Sequence, residues 1–330
     1  MPQPRRRIAV LGAGAWGTAL ALQAARAGNA VTLWARDPAR AAAMAEAREN
    51  ARYLPGQPLS AAIQVTADAA AAMEGALFAL VVVPVQHLRA AVAALPPGGC
   101  PLVVCAKGVE RGTLCLPLEI LEQLRPEAPA AVLSGPNFAH EVARGLPAAA
   151  VVASGDAALR SLAGELLGTA GFRLYGGDDP MGVQVGGAAK NVIAIAAGAV
   201  IGAGLGENAR AALVTRGLAE LSRLTVALGG RAETAAGLSG LGDLLLTTTG
   251  AGSRNTSLGM ELARGTPLEA ALASRAGVAE GVETAPALVA RAAAAGVELP
   301  ICAAVAELLA GELSIGQAMG RLLSRPRRDE

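Results

Sequence analysis

Short apolar runs alternate with alanine-rich stretches of helical period through the first part of the chain. Ile8 to Leu11 is the first run, followed by a glycine-rich turn and a helical stretch from Thr18 to Ala27. Gly28-Asn29 stops that helix, and Val31 to Trp34 resumes an extended pattern. Leu77 to Val83, Leu102 to Cys105, Ala131 to Leu133 and Ala148 to Ala153 read as further strands, and Gly171 to Tyr175 closes the series. These runs are apolar throughout, so both faces of each strand should be covered. That is the mark of a parallel α/β sheet, doubly wound with helices on either side.

After Asp178-Asp179-Pro180 the pattern changes to helical periods punctuated by glycine. With 330 residues the chain is too long for one ordinary core. The expected organisation is an α/β domain over residues 1–180 and an all-helical domain over 181–330. No internal repeat of fixed period interrupts this division.

Two segments imitate membrane signals. Arg5-Arg6-Arg7 followed by Ile8 to Leu11 resembles a signal peptide, but Gly12, Gly14 and Gly17 interrupt the apolar stretch. Asn191 to Gly206 is uncharged and rich in Ala, Ile and Gly, but Lys190 and Glu207 bound it closely. A soluble helix buried all round is the better reading. The net charge of +1 gives no long-range field to recruit nucleic acid or an anionic membrane. The arginines at the two ends, Arg5 to Arg7 and Arg325 to Arg328, read as solvated tails. Cys100, Cys105, Cys115 and Cys302 show neither C-x-x-C spacing nor a metal-ligand pattern, and reduced thiols suit the cytoplasm.

The lysine count changes the picture more. Of 28 basic residues only Lys107 and Lys190 are lysine. Arginine evidently serves wherever positive charge suffices, and unlike an ammonium it cannot surrender a proton near neutral pH. The two lysines are therefore candidates for work arginine cannot do.

Gly12-Ala-Gly14-Ala-Trp-Gly17 is G-x-G-x-x-G between a strand and a helix. In that setting Gly12 makes the turn, Gly14 lets a pyrophosphate approach the backbone, and Gly17 packs helix on strand, with the anion on the helix N-terminus. Ala15 and Trp16 follow in the same turn. The similar Gly202-Ala-Gly204-Leu-Gly206 has no strand before it and reads as close helix packing. An acidic residue at the end of the second strand commonly takes the adenosine ribose. Asp37 stands there, but Asp-Pro before an alanine-rich stretch is a helix cap. Arg36 is then the residue facing the ribose, which favours NADPH over NADH.

Ketone reduction requires a proton donor near the carbonyl. Lys190 is the only charge between Asp179 and Glu207, in a helix of Gly, Ala, Ile and Val, where an ammonium should be partly neutral or held by a carboxylate. The alternative is a lysine snorkelling at a domain rim. Asp243, in Gly240-Leu-Gly-Asp243, could be its partner or simply a helix cap, and Thr247 belongs to the same cluster. Gly252-Ser253-Arg254-Asn255 offers backbone donors and a guanidinium to a substrate phosphate, or is a solvated loop.

Gly12 to Leu20 (GAGAWGTAL), Val82-Val83-Pro84, Cys105-Ala-Lys107-Gly108 and Ser134-Gly-Pro-Asn-Phe-Ala-His-Glu141 resemble the bacterial NAD(P)-dependent glycerol-3-phosphate dehydrogenases. So do Gly186-Gly-Ala-Ala-Lys190-Asn191-Val-Ile-Ala, Thr215-Arg-Gly-Leu-Ala-Glu220, Gly240-Leu-Gly-Asp243 and Ser253-Arg254-Asn255. The resemblance implies a Rossmann domain and a helical substrate domain. It implies reduction of dihydroxyacetone phosphate to sn-glycerol 3-phosphate, a phospholipid precursor, with Lys190 as general acid/base beside Asp243. Lys107, Gly135, Asn137, Asn191 and Thr247 would serve the substrate, and Ser253, Arg254 and Asn255 its phosphate. Gly12, Gly14, Ala15, Trp16, Gly17, Arg36, Lys107, Ala139, Arg254, Val278 and Glu280 would line the NAD(P)H. Asn137 departs from the Thr or Ser of many relatives. His87 and His140 need no catalytic role, and no metal is implied.

The competing readings are another two-domain Rossmann dehydrogenase acting on hydroxy acids, and an NAD(P)H sensor without turnover. The sensor would have no use for a lone buried lysine. A small-molecule substrate, no nucleic acid and no membrane span are expected, and a homodimer is compatible with the chain.

Overall fold

The structure, a computed structural model, describes residues 6–250, 252–273, 275, 277 and 279–324. Arg5 and Arg325 to Arg328 lie outside the described residues. The chain forms two compact units. One comprises residues up to Lys107 together with Cys115–Gln184, and the other comprises Gly108–Leu114 together with the residues from Val185 onward.

The first unit holds an eight-stranded sheet. Its strands are β1 (Arg7–Leu11), β2 (Ala30–Trp34), β3 (Ile63–Thr66), β4 (Ala79–Val81), β5 (Leu102–Val104), β6 (Ala130–Ser134), β7 (Ala148–Ala153) and β8 (Phe172–Gly177). They lie in the order β3-β2-β1-β4-β5-β6-β7-β8. The intervening helices are α1 (Ala15–Arg26), α2 (Pro38–Ala47), α3 (Ala69–Met73) and α4 (Val85–Ala93), then α5 (Pro117–Leu124), α6 (Ala139–Arg144) and α7 (Ala157–Leu167). Ile8 and Val10 enter a core with Leu20, Leu33 and Leu166, while Ala9 and Leu11 enter another with Leu88, Val104 and Ile120. Burial on both faces is why these strands read as unbroken apolar runs.

Three details depart from the sequence reading. β3 is a strand that the apolar pattern did not announce; it sits at the sheet edge, and Ile63 is its only buried residue. β7 runs antiparallel to β6 instead of continuing a wholly parallel sheet. β7 therefore leaves the six-residue helix α6 to run back beside β6 in the opposite sense. Finally, Arg6 and Arg7 are exposed as expected but are not a loose tail: Arg6 pairs with Glu165, and Arg7 opens β1.

The second unit is helical. α8 (Pro180–Gly202) begins in the first unit and continues into the second. It is followed by α9 (Gly206–Ala227), α10 (Ala232–Ala235), a π-helical turn (Leu238–Gly242) and α11 (Asp243–Thr248). Then come α12 (Arg254–Ala263), α13 (Leu268–Ala273), α14 (Glu280–Ala294), α15 (Pro300–Leu309) and α16 (Ile315–Leu323). The units exchange inside α8, four residues past the Asp-Asp-Pro turn expected to divide them. Asp179 caps the helix by accepting from Gly182 N at 2.9 Å. Its first turn stays with the sheet unit, where Gln184 Oε1 accepts from Leu118 N at 2.7 Å and Val183 packs beside Val85 and Leu121.

α8 is long and apolar enough to cross a membrane, but most of it is buried inside the protein. It starts at Pro180 and ends at Gly202, not at Gly206. Gly202 does pack against a helix, with Met260 O 2.5 Å from where its Cβ would stand, but Gly204 lies in the following turn and Gly206 opens α9, both with positive φ.

Candidate active site

In the first unit the glycine turn is built as its spacing suggests. A Cβ on Gly12 would fall 2.3 Å from Val82 O, and one on Gly17 would fall 1.8 Å from Gly12 O. Both positions are therefore closed to any side chain. Gly14 differs, because its Cβ would meet nothing within 4 Å. It caps α1 without a side-chain hydrogen bond, and the first turn of α1 carries no acidic residue. Positive helix-end potential, partly exposed backbone and space where a Cβ would stand fit a pyrophosphate.

Arg36 is exposed just beyond β2. Asp37 is the cap of α2, accepting from Ala39 N at 3.0 Å and Arg40 N at 3.4 Å. Trp16, Val82 and Ala139 pack on the same core cluster.

Beyond β5 and β6 a second group forms. Lys107 Nζ donates to Gly135 O at 3.4 Å. Gly135 has φ +147°, and a Cβ there would lie 2.9 Å from Ala150 Cα. Asn137 Nδ2 donates to Ala149 O at 3.0 Å, which leaves Oδ1 buried without a partner. The asparagine thus turns an acceptor away from the sheet.

The second unit gathers the remaining residues around α8. Lys190 Nζ donates to Asp243 Oδ1 at 2.7 Å and to Thr247 Oγ1 at 3.0 Å. Thr247 Oγ1 spends its own hydrogen on Asp243 O at 2.6 Å, so it can receive the lysine. All three residues are buried. Lys190 is therefore paired with a carboxylate, not snorkelling to solvent, and Asp243 is its partner. The close approach depends on Gly186, where a Cβ would meet Ser239 O of the π-helical turn at 2.6 Å.

The adjacent residue on α8, Asn191, accepts from Asn255 Nδ2 at 3.0 Å and donates to Glu280 Oε2 at 3.4 Å. Asn255 Oδ1 in turn accepts from Gly281 N at 3.1 Å. This network fixes the starts of α12 and α14 on α8. Gly198 allows it, because a Cβ there would lie 2.0 Å from Thr256 O. Ser253 is the cap of α12, its Oγ accepting from Thr256 N at 3.3 Å. Arg254 is exposed at the first position of that helix, with Nη1 near Gly277. Val278 lies outside the described residues.

The structure thus brings the expected substrate residues Lys190, Asn191, Asp243, Thr247, Ser253 and Asn255 into one neighbourhood with Arg254 at its edge, and Glu280, expected on the dinucleotide, joins them through Asn191. The sequence reading missed Asn50 and Arg40, whose side chains reach the glycine turn. Asn50 Nδ2 donates to Ala13 O at 2.9 Å and to Thr18 Oγ1 at 2.7 Å, and Arg40 Nη2 also donates to Ala13 O. Neither residue stands in a motif whose spacing points at the turn.

A Rossmann-type sheet carrying a pyrophosphate turn, and a helical unit carrying a buried ammonium–carboxylate pair, define the class of nicotinamide-dependent oxidoreductases. Family comparison narrows this. Residues 7–160 match the N-terminal model of NAD-dependent glycerol-3-phosphate dehydrogenase, and residues 179–320 match the C-terminal model. The chain belongs to that family. It is 53% identical over 326 residues to the glycerol-3-phosphate dehydrogenase [NAD(P)+] of Rhodospirillum rubrum, covering 98% of this chain and 93% of that one. It is 55% identical over 323 residues to the protein of the same name from Acidiphilium cryptum, covering 98% of each. The crystal structure of glycerol-3-phosphate dehydrogenase from Coxiella burnetii superposes with a TM-score of 0.93 at 38% identity, covering 97% of this chain and 99% of that one.

Proposed function

We propose that this chain reduces dihydroxyacetone phosphate to sn-glycerol 3-phosphate with NAD(P)H, and that Lys190 is its general acid/base. The observation that carries the reading is the buried contact between Lys190 and Asp243, with Thr247 as the lysine's second partner. When bound, the nicotinamide supplies a hydride to the substrate carbonyl carbon. Negative charge then gathers on the carbonyl oxygen. The Lys190 ammonium stabilises that charge and gives it a proton, and solvent reprotonates the amine. Asp243 and Thr247 accept two of the three ammonium hydrogens, so the donor is positioned before the substrate arrives.

The start of α12 holds the substrate phosphate through its backbone N–H groups and Arg254. The side chain of Asn255 bridges Asn191 and Gly281, so we assign it chiefly to holding that helix start in place. Lys107, Gly135 and Asn137 serve the rest of the substrate, the free Asn137 Oδ1 being suited to accept from its hydroxyl. Gly12 to Gly17 hold the pyrophosphate, and Arg36 the adenosine ribose, where a guanidinium favours a 2′-phosphate. Trp16, Ala139, Lys107, Arg254, Val278 and Glu280 complete the dinucleotide contacts. The product is a precursor for glycerophospholipids. A cytoplasmic homodimer completes the proposal; sedimentation equilibrium tests the assembly.

The deciding experiment measures NADH and NADPH oxidation with dihydroxyacetone phosphate and with a panel of 2-oxo acids. Turnover confined to the phosphorylated ketone supports the reading. Turnover of 2-oxo acids alone, or binding of NAD(P)H without turnover, overturns it.

A further inference from the structure

The glycine turn has three successive carbonyl groups, and each is held from the protein side. Gly12 O is pressed against Gly17. Gly14 O accepts from Thr18 N at 3.0 Å and from Thr18 Oγ1 at 2.8 Å. Ala13 O takes no part in the hydrogen bonding of α1; it accepts instead from Asn50 Nδ2 at 2.9 Å and from Arg40 Nη2. The other Asn50 Nδ2 hydrogen goes to Thr18 Oγ1 at 2.7 Å, so one amide ties both arrangements together.

Asn50 is fully buried although it lies outside any helix or strand. Its backbone is fixed by a turn in which Asn50 O accepts from Leu54 N at 2.9 Å. Its Oδ1 is buried with no hydrogen-bond partner. Arg40 is anchored as well, with its guanidinium 4.7 Å from the Tyr53 ring centroid.

The consequence follows from peptide geometry. No peptide in the described chain is cis, and in a trans peptide the N–H points opposite to the C=O. Drawing Ala13 O inward turns Gly14 N–H outward, and holding Gly14 O does the same for Ala15 N–H. We infer that Asn50, with Arg40, is a positioning residue for the dinucleotide: by holding Ala13 O it aims the Gly14 N–H at the pyrophosphate. Resting on the reading of this turn as the pyrophosphate site, the inference adds that cofactor affinity depends on a side chain that touches no cofactor. Because the pyrophosphate is common to both dinucleotides, the effect falls on NADH and NADPH equally.

Dissociation constants from nicotinamide fluorescence test this without turnover. Asn50→Ala is expected to weaken NADH and NADPH by the same factor, about tenfold for one lost orienting hydrogen bond. In steady-state assays KM for the dinucleotide should rise by that factor, with KM for dihydroxyacetone phosphate little changed. Asn50→Asp provides the sharper readout. Its carboxylate would repel Ala13 O, but once protonated it regains an O–H donor, so affinity should recover as pH falls while Asn50→Ala shows no such recovery. Thr18→Val, which removes the hydroxyl from Gly14 O but leaves the Thr18 N–H, should lose less than Asn50→Ala and covers the case where Asn50→Ala does not fold. Folded Asn50 variants that bind both dinucleotides as tightly as the wild type, with only a lower Tm, would overturn the inference and leave the pyrophosphate site intact. A wild-type protein that binds neither dinucleotide would overturn both.

Discussion

Lys190 Nζ stands 2.7 Å from Asp243 Oδ1, and the two residues expose only 8% and 1% of their surfaces. At that depth neither charge has enough water to stand alone, so each is the other's solvation. Truncating the carboxylate with Asp243→Ala is expected to lower the unfolding free energy by about 3–5 kcal/mol. Asp243→Asn keeps an oxygen acceptor and should cost less stability, yet it removes the charge that holds the ammonium and should still lower kcat. Urea denaturation and kcat on the same samples check both. Unchanged stability in Asp243→Ala would show that water enters and replaces the carboxylate.

Arg254 opens α12 and is exposed, while its neighbour Asn255 is tied into the scaffold. A guanidinium on a substrate phosphate makes a charge-assisted hydrogen bond, worth about 1.5–3 kcal/mol. Arg254→Ala should therefore raise KM for dihydroxyacetone phosphate by about 10- to 100-fold. Any turnover of unphosphorylated dihydroxyacetone should be nearly unaffected. Equal losses on the two substrates would move Arg254 from the phosphate to the cofactor or to the fold.

Arg36 is the cationic residue exposed at the end of β2, and Asp37 is occupied in capping α2. Arg36→Ala should weaken NADPH by about 1.5–3 kcal/mol and leave NADH nearly unchanged. Fluorescence titration with the two dinucleotides measures the difference directly. Matching losses for both would return the ribose to Asp37.

Much of this was legible because two chemical rarities could be read one residue at a time. Glycine is required where Gly12 and Gly17 touch carbonyl oxygens, and lysine survives in an arginine-rich chain at only two positions. Both signals are local. What stayed hidden depends on contacts distant in sequence or on backbone paths. The pairing of Lys190 with Asp243, 53 positions apart, was anticipated, but not the π-helical turn that leads into Asp243. Asn50 reaches Ala13 from 37 positions away with no motif around it. β3, partly exposed at the sheet edge, lacks the apolar continuity that revealed the central strands. The reversal at β7 is a matter of strand direction, and an apolar run reads the same whichever way its strand points.

Glu220 on α9 is buried at the start of α15, accepting from Ile301 N at 2.6 Å and from Cys302 N at 3.3 Å. Burial pushes its carboxyl above the usual carboxylate range, and the two backbone N–H groups oppose that shift only in part. A group whose folded pKa is raised holds its proton longer in the native state. Its contribution to stability is complete below the ordinary carboxylate value of 4.5 and is lost as pH rises through the raised one. Glu220→Gln, which has no proton to lose, should therefore flatten the profile. From pH 4 upward the wild-type Tm is expected to fall relative to that of the variant, and parallel profiles would exclude Glu220 as the source.

The role proposed for Lys190 is tested by separating chemistry from binding. Lys190 stands on a helix whose neighbouring positions are buried, with its ammonium already engaged by Asp243 and Thr247. Arginine at this position would keep the positive charge but could not release a proton at neutral pH, and its planar head is larger than the ammonium. Methionine keeps most of the length and loses the charge. If Lys190 only attracted the substrate, Lys190→Arg would retain substantial activity and Lys190→Met would not. If it supplies the proton, both should fall by about 100-fold or more in kcat. NADPH affinity should survive in both variants, because the glycine turn proposed to hold the pyrophosphate belongs to the sheet unit. Single-turnover rates with NADPH, measured alongside its dissociation constant, distinguish the two roles. A Lys190→Arg protein with near-normal kcat and unchanged NADPH binding would show that this lysine binds without donating, and the proton would have to come from elsewhere.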